Sequence, residues 1–331
     1  MYPVLNINPT RVQLELTEKC NLNCLFCYNS LIHVQEDKIL QILRRLKEEK
    51  VFEVILTGGE PLIHPKIKDI IRFSSQNFRT MIQSNGIVLS DDEMISLIVE
   101  CTVESVSISI HGPERIHDYL TGVNGSYAQS ISALQKILKT NIRTSVNLVA
   151  VSINVEQIYE ILREFQALGL HELTITRFVP SGKAAQNPYL ATNCEQFIRV
   201  LEKIYEFENN FQYPKVTIAN AVPYCIIQNE ELCKYVNYCN YGYDRFYIDP
   251  NGNVMICGML RKPLGNILTH TFNAIKKESS VLQKYLTGKN LPIKCVSCES
   301  LDLCHGGCRA AAYNTFNHIN AVDPFMKERI F

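Results

Sequence analysis

The chain has 331 residues, of which 46% are hydrophobic and 20% charged, and its 33 basic and 33 acidic side chains leave no formal net charge. That balance is typical of a globular protein with a sizeable core, and it favours neither nucleic acid nor a membrane as a partner. No signal peptide is present, and the longest apolar runs are far shorter than the roughly 18 residues of a membrane span. We therefore expect a cytoplasmic protein.

Strand-like and helix-like segments alternate along the first two thirds of the chain. Strands are predicted over 11–17, 52–59, 79–86, 103–112, 142–152 and 171–179, and helices over 37–50, 66–76, 90–100, 126–139, 154–169 and 194–208. Six such repeats, with strands buried on both faces, predict a parallel sheet. Since a closed barrel needs eight repeats, we predict an α/β fold built as a partial (β/α)6 barrel, with functional groups at the C-terminal ends of its strands.

The pattern changes near residue 212, after which segments are short and rich in turns and cysteine. The stretch 245–257 predicts a β-hairpin about Asn251-Gly252, a dipeptide favoured where both turn residues need positive φ. We therefore predict two domains, a partial barrel over 1–211 and a small cysteine-rich domain over 212–331. The second has little apolar periodicity, so metal is expected to hold it together.

Eleven of the 13 cysteines form two groups, whereas Cys101 and Cys194 stand alone and are expected to be small buried hydrophobes. In a reducing compartment, clustered cysteines indicate metal binding or catalysis rather than disulfides. The first group is a C-x3-C-x2-C triplet, Cys20, Cys24 and Cys27, directly after the first strand. Three thiolates are one ligand short of a tetrahedral site, so a distant ligand completes the set or a position stays open.

With Phe26 in its aromatic position, the triplet resembles the C-x3-C-x-aromatic-C signature of the radical S-adenosylmethionine (radical SAM) superfamily. The resemblance implies a [4Fe–4S] cluster whose open iron binds the amino and carboxylate groups of SAM. An electron passed through the cluster breaks the S–C5′ bond, and the resulting 5′-deoxyadenosyl radical abstracts hydrogen from substrate. A flavodoxin or ferredoxin is the expected electron donor.

Further motifs match that family at the ends of later strands. In "LTGGEP" the resemblance assigns the backbone of Gly58, Gly59 and Glu60 to the SAM amine, with the glycines allowing close approach to the ligand. It assigns polar side chains after the third, fourth and sixth strands to the SAM carboxylate and ribose: Ser84, Asn85, Ser109 and Arg177. His111 stands where many relatives have aspartate. Taken singly, GGEP is also compatible with a plain turn and SNG with a plain loop.

The tail carries C-x2-C-x5-C-x3-C, and upstream of it C-x12-G-x4-C runs from Cys239 through Gly252 to Cys257. Together these resemble the SPASM extension of radical SAM enzymes, which implies one or two auxiliary [4Fe–4S] clusters. The resemblance gives the first cluster Cys233, Cys239, Cys257 and Cys308, with Cys225 as a substitute for Cys233 or else a free thiol. It gives the second cluster Cys295, Cys298 and Cys304.

The second auxiliary set lacks the family's last cysteine, because Met326 occupies its place in "VDPFMK". A neutral thioether is a poor cluster ligand. The fourth iron is therefore expected to be open or served by Asp323, His305, His318, water or substrate. Two alternatives stay open, namely that only one auxiliary cluster assembles or that these three cysteines bind zinc.

The family's SPASM members mostly modify ribosomally made peptides by crosslinking, thioether formation, epimerisation or oxidation. Our first hypothesis is therefore a peptide-modifying radical SAM enzyme. The alternatives are an enzyme of tetrapyrrole, haem-type or other small-molecule biosynthesis and a non-catalytic metal-binding or electron-transfer protein. Only about ten residues precede the first strand, so any leader peptide is expected to need a separate recognition protein. Gly258 follows Cys257 where the sulfatase-maturing branch has aspartate, so the catalytic acid or base is unassigned.

Overall fold

The computed structural model describes residues 9–29, 37–236 and 238–330. Ten strands form one sheet: β1 (Arg11–Glu15), β2 (Glu53–Thr57), β3 (Arg79–Ser84), β4 (Ser105–Ser109), β5 (Arg143–Ala150), β6 (Glu172–Arg177), β7 (Lys215–Ala219), β8 (Arg245–Ile248), β9 (Asn253–Cys257) and β10 (Leu260–Asn266). Their order across the sheet is β10-β9-β8-β1-β2-β3-β4-β5-β6-β7.

The six predicted repeats are present, since β1 to β6 are parallel neighbours in chain order. Two later strands extend this set: β7 pairs parallel with β6, and β8 pairs parallel with β1. The sheet is therefore mixed and not closed, and the predicted hairpin β8–β9 continues the barrel sheet rather than forming a separate one. The domain boundary at 211/212 stays a prediction.

Helices fill the connections: α1 (Ile39–Glu48), α2 (Ile67–Asn77), α3 (Asp92–Glu100), α4 (Glu114–Thr121), α5 (Ser126–Ile137), α6 (Ile158–Ala167), α7 (Cys194–Asn210), α8 (Phe272–Glu278), α9 (Ser280–Leu286), α10 (Ile293–Val296), α11 (Leu301–Cys304), α12 (Arg309–Phe316) and α13 (Pro324–Ile330). The first of them buries Ile39, Ile42, Leu43 and Leu46, an apolar stripe at helical spacing. None of these helices, within the described part of the chain, is apolar over the length that crossing a bilayer requires.

The two faces of the sheet differ in polarity, although the sequence predicts burial on both. In β3, β5 and β6 buried residues alternate with more exposed ones, so only one face belongs to the apolar core. The opposite face, here called the polar face, carries Gln13, Gln83, Ser107, Asn147 and Thr176. Gln13 donates to Gln83 at 2.8 Å, and Thr176 donates to Asn147 at 2.6 Å. Over the C-terminal halves of β3 to β6 the polar face therefore presents uncharged hydrogen-bonding groups, whereas its arginines lie at strand starts, such as Arg79 and Arg143.

The hairpin turn before β9 differs from the one that the Asn251-Gly252 dipeptide predicts. Gly252 has φ +86°, whereas Asn251 does not share the left-handed conformation. Gly252 N donates to Asp249 O at 2.9 Å, which places Pro250 and Asn251 at the centre of the turn. The Asp249 carboxylate also accepts from Asn251 N at 2.9 Å. Aspartate at the first position, proline at the second and glycine at the fourth favour a type I turn.

A buried ion pair joins the end of β6 to the start of α13. Arg177 donates to both carboxylate oxygens of Asp323, at 2.8 and 2.7 Å, and the two side chains are 2% and 0% exposed. The guanidinium also lies 3.6 Å from the centre of the Phe325 ring, and Cys308 N donates to Asp323 at 2.8 Å. The pair therefore fixes the C-terminal segment and Cys308 against the barrel.

Replacing Asp323 by alanine should destabilise the protein by about 3–5 kcal/mol, because it leaves the Arg177 charge buried without its partner. The midpoint of urea unfolding, followed anaerobically by circular dichroism, measures the loss. Lys68→Gln is the control, since the Lys68–Glu93 pair is 49% and 71% exposed and should contribute less than about 1 kcal/mol. Equal effects of the two substitutions would contradict the assigned role of Asp323.

Candidate metal centres and active site

The loop after β1, residues 16–29, carries the cysteine triplet and is here called the cysteine loop. It lies at the C-terminal edge of the sheet, as the sequence predicts. The Sγ of Cys20 is 3.4 Å from Leu22 N and 3.9 Å from Asn85 Nδ2, and both groups donate to it. The first polar group after β3 therefore reaches the sulfur of the first cysteine.

Burial keeps the three thiols of this loop neutral. Burial raises the pKa of Cys20 to about 11 and that of Cys24 and Cys27 above the ordinary thiol value. The positive charge of Lys183 opposes this by lowering the pKa of Cys24 and Cys27. A bound cation that favours thiolates must therefore displace protons from the site.

The turn after β2, formed by Gly58, Gly59 and Glu60, packs against the backbone of the cysteine loop. Gly59 N donates to Thr17 O at 2.7 Å, and Glu60 N donates to Lys19 O at 2.8 Å. A Cβ atom on Gly59 would lie 2.2 Å from Lys19 O, and one on Gly58 would lie 2.4 Å from Thr17 O. In this structure the close approach that requires glycine is thus to the cysteine loop, whereas the sequence assigns it to the ligand.

The Glu60 carboxylate is fully buried and holds the ends of β2 and β3 together. It accepts hydrogen bonds from Ser84 Oγ at 2.9 Å, Asn85 N at 2.7 Å and Leu62 N at 3.0 Å. Burial raises the pKa of Glu60 to about 7 despite these bonds. The Ser84 hydroxyl is therefore bonded to a carboxylate of this chain, and the Asn85 side chain is the group that faces Cys20.

Phe26 packs edge-on against His111, with ring centres 4.4 Å apart. His111 is buried, its Nδ1 accepts from Val149 N at 3.2 Å, and its ring stacks on His117 at 5.6 Å. Burial lowers the pKa of His111 far below its ordinary value and that of His117 to about 4. At the position where aspartate is expected, this chain therefore places a neutral ring, two residues beyond the half-buried Ser109.

The loop after β6 also contacts the cysteine loop, a contact that the sequence reasoning missed. Ala184 N donates to Cys27 O at 2.9 Å, and Lys183 Nζ donates to Asn23 O at 2.7 Å. Gly182 has φ +58°, and a Cβ atom there would lie 2.2 Å from Tyr28 O. The glycine of "VPSG" was the available signal, since glycine after a strand indicates close backbone approach.

Strand β10, which follows Cys257, contacts the cysteine loop through the charged side chain of Arg261. Arg261, in β10, donates to both oxygens of Glu15 at 2.8 Å and to Glu18 at 2.9 Å. Gly258 lies against an aromatic ring, because a Cβ atom there would be 2.7 Å from the Tyr247 ring. Packing against Tyr247 thus explains why residue 258 is glycine. The same Cβ atom would lie 3.0 Å from the Tyr28 ring, so the turn after β9 also contacts the cysteine loop.

Cys239, Cys257 and Cys308 form one C-terminal group of thiols. Burial raises the pKa of Cys239 to about 12, and it also raises the pKa values of Cys257 and Cys308. The negative charges of Cys239 and Cys308 raise the pKa of Cys257 further, which indicates that the three sulfurs lie near one another. The Cys233 sulfur is hydrogen-bonded to the hydroxyl of Tyr224, so the structure gives Cys233 a different neighbour.

Cys225, Cys295, Cys298 and Cys304 line one cavity of about 170 Å³, together with Met326. Burial and then the negative charges of Cys304, Cys295 and Cys298 raise the pKa of Cys225 to about 11. The sequence assigns Cys225 to the other set as a substitute for Cys233. The structure instead places it with the three cysteines that lack a fourth.

The other candidates for that fourth position lie in different surroundings. Asp323 is engaged by Arg177 and by Cys308 N. His305 stacks on Tyr238 with ring centres 4.5 Å apart and lines a separate cavity. His318 is exposed.

Comparison with known proteins identifies the family. Residues 14–165 match the Radical SAM superfamily, and residues 239–305 match the SPASM iron-sulfur cluster-binding domain. The chain is a radical SAM enzyme with a SPASM domain. The chain is 27% identical to the AdoMet-dependent heme synthase of Oleidesulfovibrio alaskensis, over 94% of this chain and 85% of that protein.

Two further similarities are to a maturation protein and to a solved crystal structure. The radical SAM enzyme is 25% identical to the sporulation killing factor maturation protein SkfB of Bacillus subtilis, over 87% of this chain and 69% of SkfB. The crystal structure of Streptococcus suis SuiB bound to S-adenosylmethionine has a TM-score of 0.76 at 16% identity, covering 96% of this chain and 77% of SuiB. At that identity the second comparison supports the fold alone.

The cysteine sets fit the cofactors of the radical SAM family, [4Fe–4S] clusters and SAM. Three thiols in one loop, one of them accepting two N–H groups, match a cluster with one iron left for SAM. Among the described residues, no three His, Cys, Asp or Glu side chains converge as a single metal ion would require.

The predicted SAM contacts of this radical SAM enzyme divide into two groups. The structure brings Phe26, Gly58, Gly59, Glu60, Ser84, Asn85 and Ser109 to the C-terminal edge of β1 to β4, where they stay proposed SAM contacts. It does not bring Arg177 there, because that side chain is on the same face as Leu173 and Ile175 and is bonded to Asp323.

Gly182→Ala should disrupt the cysteine loop, because the new Cβ would overlap Tyr28 O. The expected result is loss of about four irons per chain after anaerobic reconstitution, the content of one cluster. Gly169→Ala is the matched control, since Gly169 has φ +78° but no atom within 4 Å of the new Cβ. In that control the free energy of unfolding should fall by only about 1–2 kcal/mol, the cost of alanine in the left-handed conformation, and the iron content should be unchanged. Equal iron loss in both variants would contradict the contact assigned to Gly182.

Lowering the pH from 7 to 5 should cost about 2 kcal/mol through His117 alone, because a histidine with a depressed native pKa binds its proton mainly in the unfolded chain. The stability is present above pH 6.5 and is lost as the pH falls towards 4. Urea unfolding of His117→Asn should show that much less pH dependence. Substitution of the exposed His270 by asparagine should leave the wild-type dependence unchanged.

Proposed function

We propose that this enzyme abstracts a hydrogen atom from a ribosomally made peptide and installs a crosslink, thioether, epimerisation or oxidation. The bound SAM and its cluster supply the 5′-deoxyadenosyl radical, and an auxiliary cluster accepts the electron when the modification is oxidative. A flavodoxin or ferredoxin as donor and a separate peptide-recognition protein complete the proposal. The side chains of this enzyme orient the substrate and hold the metal centres.

The position of the turn after Cys257 supports an electron acceptor beside the active site. Met259 O accepts from Ser181 Oγ, in the loop after β6, at 3.1 Å. Asn220, after β7, donates to the Met259 sulfur at 3.4 Å. With Arg261 bonded to Glu15, this turn connects the first auxiliary set to the cysteine loop through a few residues.

The chemistry of the polar face favours a peptide over a tetrapyrrole as the substrate. Its amides and hydroxyls near the C-terminal edge, such as Asn147 and Thr176, donate and accept hydrogen bonds as peptide groups require. On β1, β3 and β5 the arginines of that face lie at strand starts and are paired with glutamates: Arg11 with Glu53, Arg79 with Glu104 and Arg143 with Glu172. Arg245, opposite Arg11 at the start of β8, packs on the Tyr241 ring, and Arg261 is bonded to Glu15. The carboxylates of a porphyrin would instead favour unpaired cations.

A tetrapyrrole substrate is the second candidate, because the chain is 27% identical over 94% of its length to a protein named as a heme synthase. The relative named SkfB, a maturation protein for a killing factor, favours the peptide at 25% identity. These two sequence identities are nearly equal, so the proposal of a peptide substrate is based on the polar face.

Peptides encoded beside the gene should stimulate formation of 5′-deoxyadenosine by the reconstituted enzyme with SAM and dithionite. Deuterium at the modified peptide position should appear in 5′-deoxyadenosine, and mass spectrometry should show a changed peptide. Cys24→Ala is the control and should form no 5′-deoxyadenosine. Stimulation by an iron porphyrin with propionate side chains, but by none of the peptides, would contradict the proposal and favour the second candidate.

A further inference from the structure

We infer that Cys225 is the fourth cysteine ligand of the second auxiliary cluster, completing the set of Cys295, Cys298 and Cys304. The cluster is then closed by four protein thiolates, and its fourth iron is not a site for substrate. The inference concerns this metal site alone and holds for a peptide or a tetrapyrrole substrate.

The cavity itself carries the inference. Its lining includes all four cysteines, in a volume of about 170 Å³. Three of them come from a single stretch with short spacings, whereas Cys225 enters from the turn Tyr224–Ile226, after β7. Four cysteine thiolates are the ordinary ligand set of a [4Fe–4S] cluster.

The turn that carries Cys225 is held against the other elements of this site. Ile226 is fully buried, and the turn packs against α13. Pro223 lies against Gly307, three residues after Cys304, since a Cβ atom on Gly307 would be 2.9 Å from the Pro223 ring. Cys225 is nevertheless exposed, so it closes the cavity from its solvent side.

Met326 explains why a ligand from elsewhere is needed. It is 4% exposed and lines the same cavity, at the position where the family has its last cysteine. A thioether is only a weak acceptor and has no charge to offset that of iron. Met326 therefore forms an apolar wall of the cavity, and Cys225 supplies the fourth thiolate from the neighbouring turn.

The test uses the full chain with the cysteine triplet changed to alanine, so that only auxiliary clusters contribute. About eight irons per chain are expected. Adding Cys225→Ala should lower the content to about four, or to about seven with the electron paramagnetic resonance signal of a [3Fe–4S] cluster. Adding Met326→Cys to that variant should restore about eight irons, because both positions border one cavity. Cys101→Ala, at the end of α3, is the control and should change nothing.

The inference is overturned if Cys225→Ala keeps both the iron content and the resonance spectrum. It is also overturned if the parent chain binds one zinc and only about four irons. A second measurement needs no variant: iodoacetamide labelling of the wild-type protein, mapped by mass spectrometry. Cys225 should be protected in the cluster-loaded protein and labelled after chelation of the iron. Rapid labelling in the loaded protein would overturn the inference as well.

Discussion

Backbone contact at the C-terminal edge of the sheet is the constraint on which the site depends. The turns after β2 and β6 both approach the cysteine loop so closely that only glycine fits, at Gly59 and Gly182. Backbone hydrogen bonds then fix the distances, since Gly59 N is 2.7 Å from Thr17 O. A loop held on two sides by the ends of a rigid sheet can present three sulfurs in one arrangement, which a cluster with an open iron requires.

Buried charge connects this edge to the C-terminal region. Arg261 forms ion pairs with Glu15 and Glu18 at the cysteine loop, and Arg177 forms an ion pair with Asp323 beside Cys308. Each pair joins residues far apart in the chain, and losing either partner would leave a buried charge that is expensive to maintain. These ion pairs therefore hold the cysteine-rich region against the barrel close to the proposed metal sites.

Local sequence pattern predicted the parts of the structure that depend on local physics. The six parallel strands and the position of the cysteine triplet follow from alternation of apolar residues and from strand ends. The edge strand β7 was missed because it follows residue 212, where the change of pattern predicted a separate cysteine-rich domain. The edge strand β10 was missed because it contains Pro263 and Gly265, which weaken a strand pattern. The face of Arg177 was predictable from alternation, since it shares the parity of Leu173 and Ile175. The neighbours of Cys225 depend on tertiary packing between distant segments, which no spacing of cysteines encodes.

The pairing of β1 with both β2 and β8 has a consequence for how the protein is made. Arg11 lies opposite Glu53 on one side and Arg245 on the other, so the two neighbours of β1 are synthesised far apart in time. Until β8 emerges, one edge of β1 has unpaired N–H and C=O groups, which are prone to wrong pairing. The cysteine loop also lacks Arg261 during that interval. Delivery of iron and sulfide to the first cluster is therefore best timed after release of the whole chain.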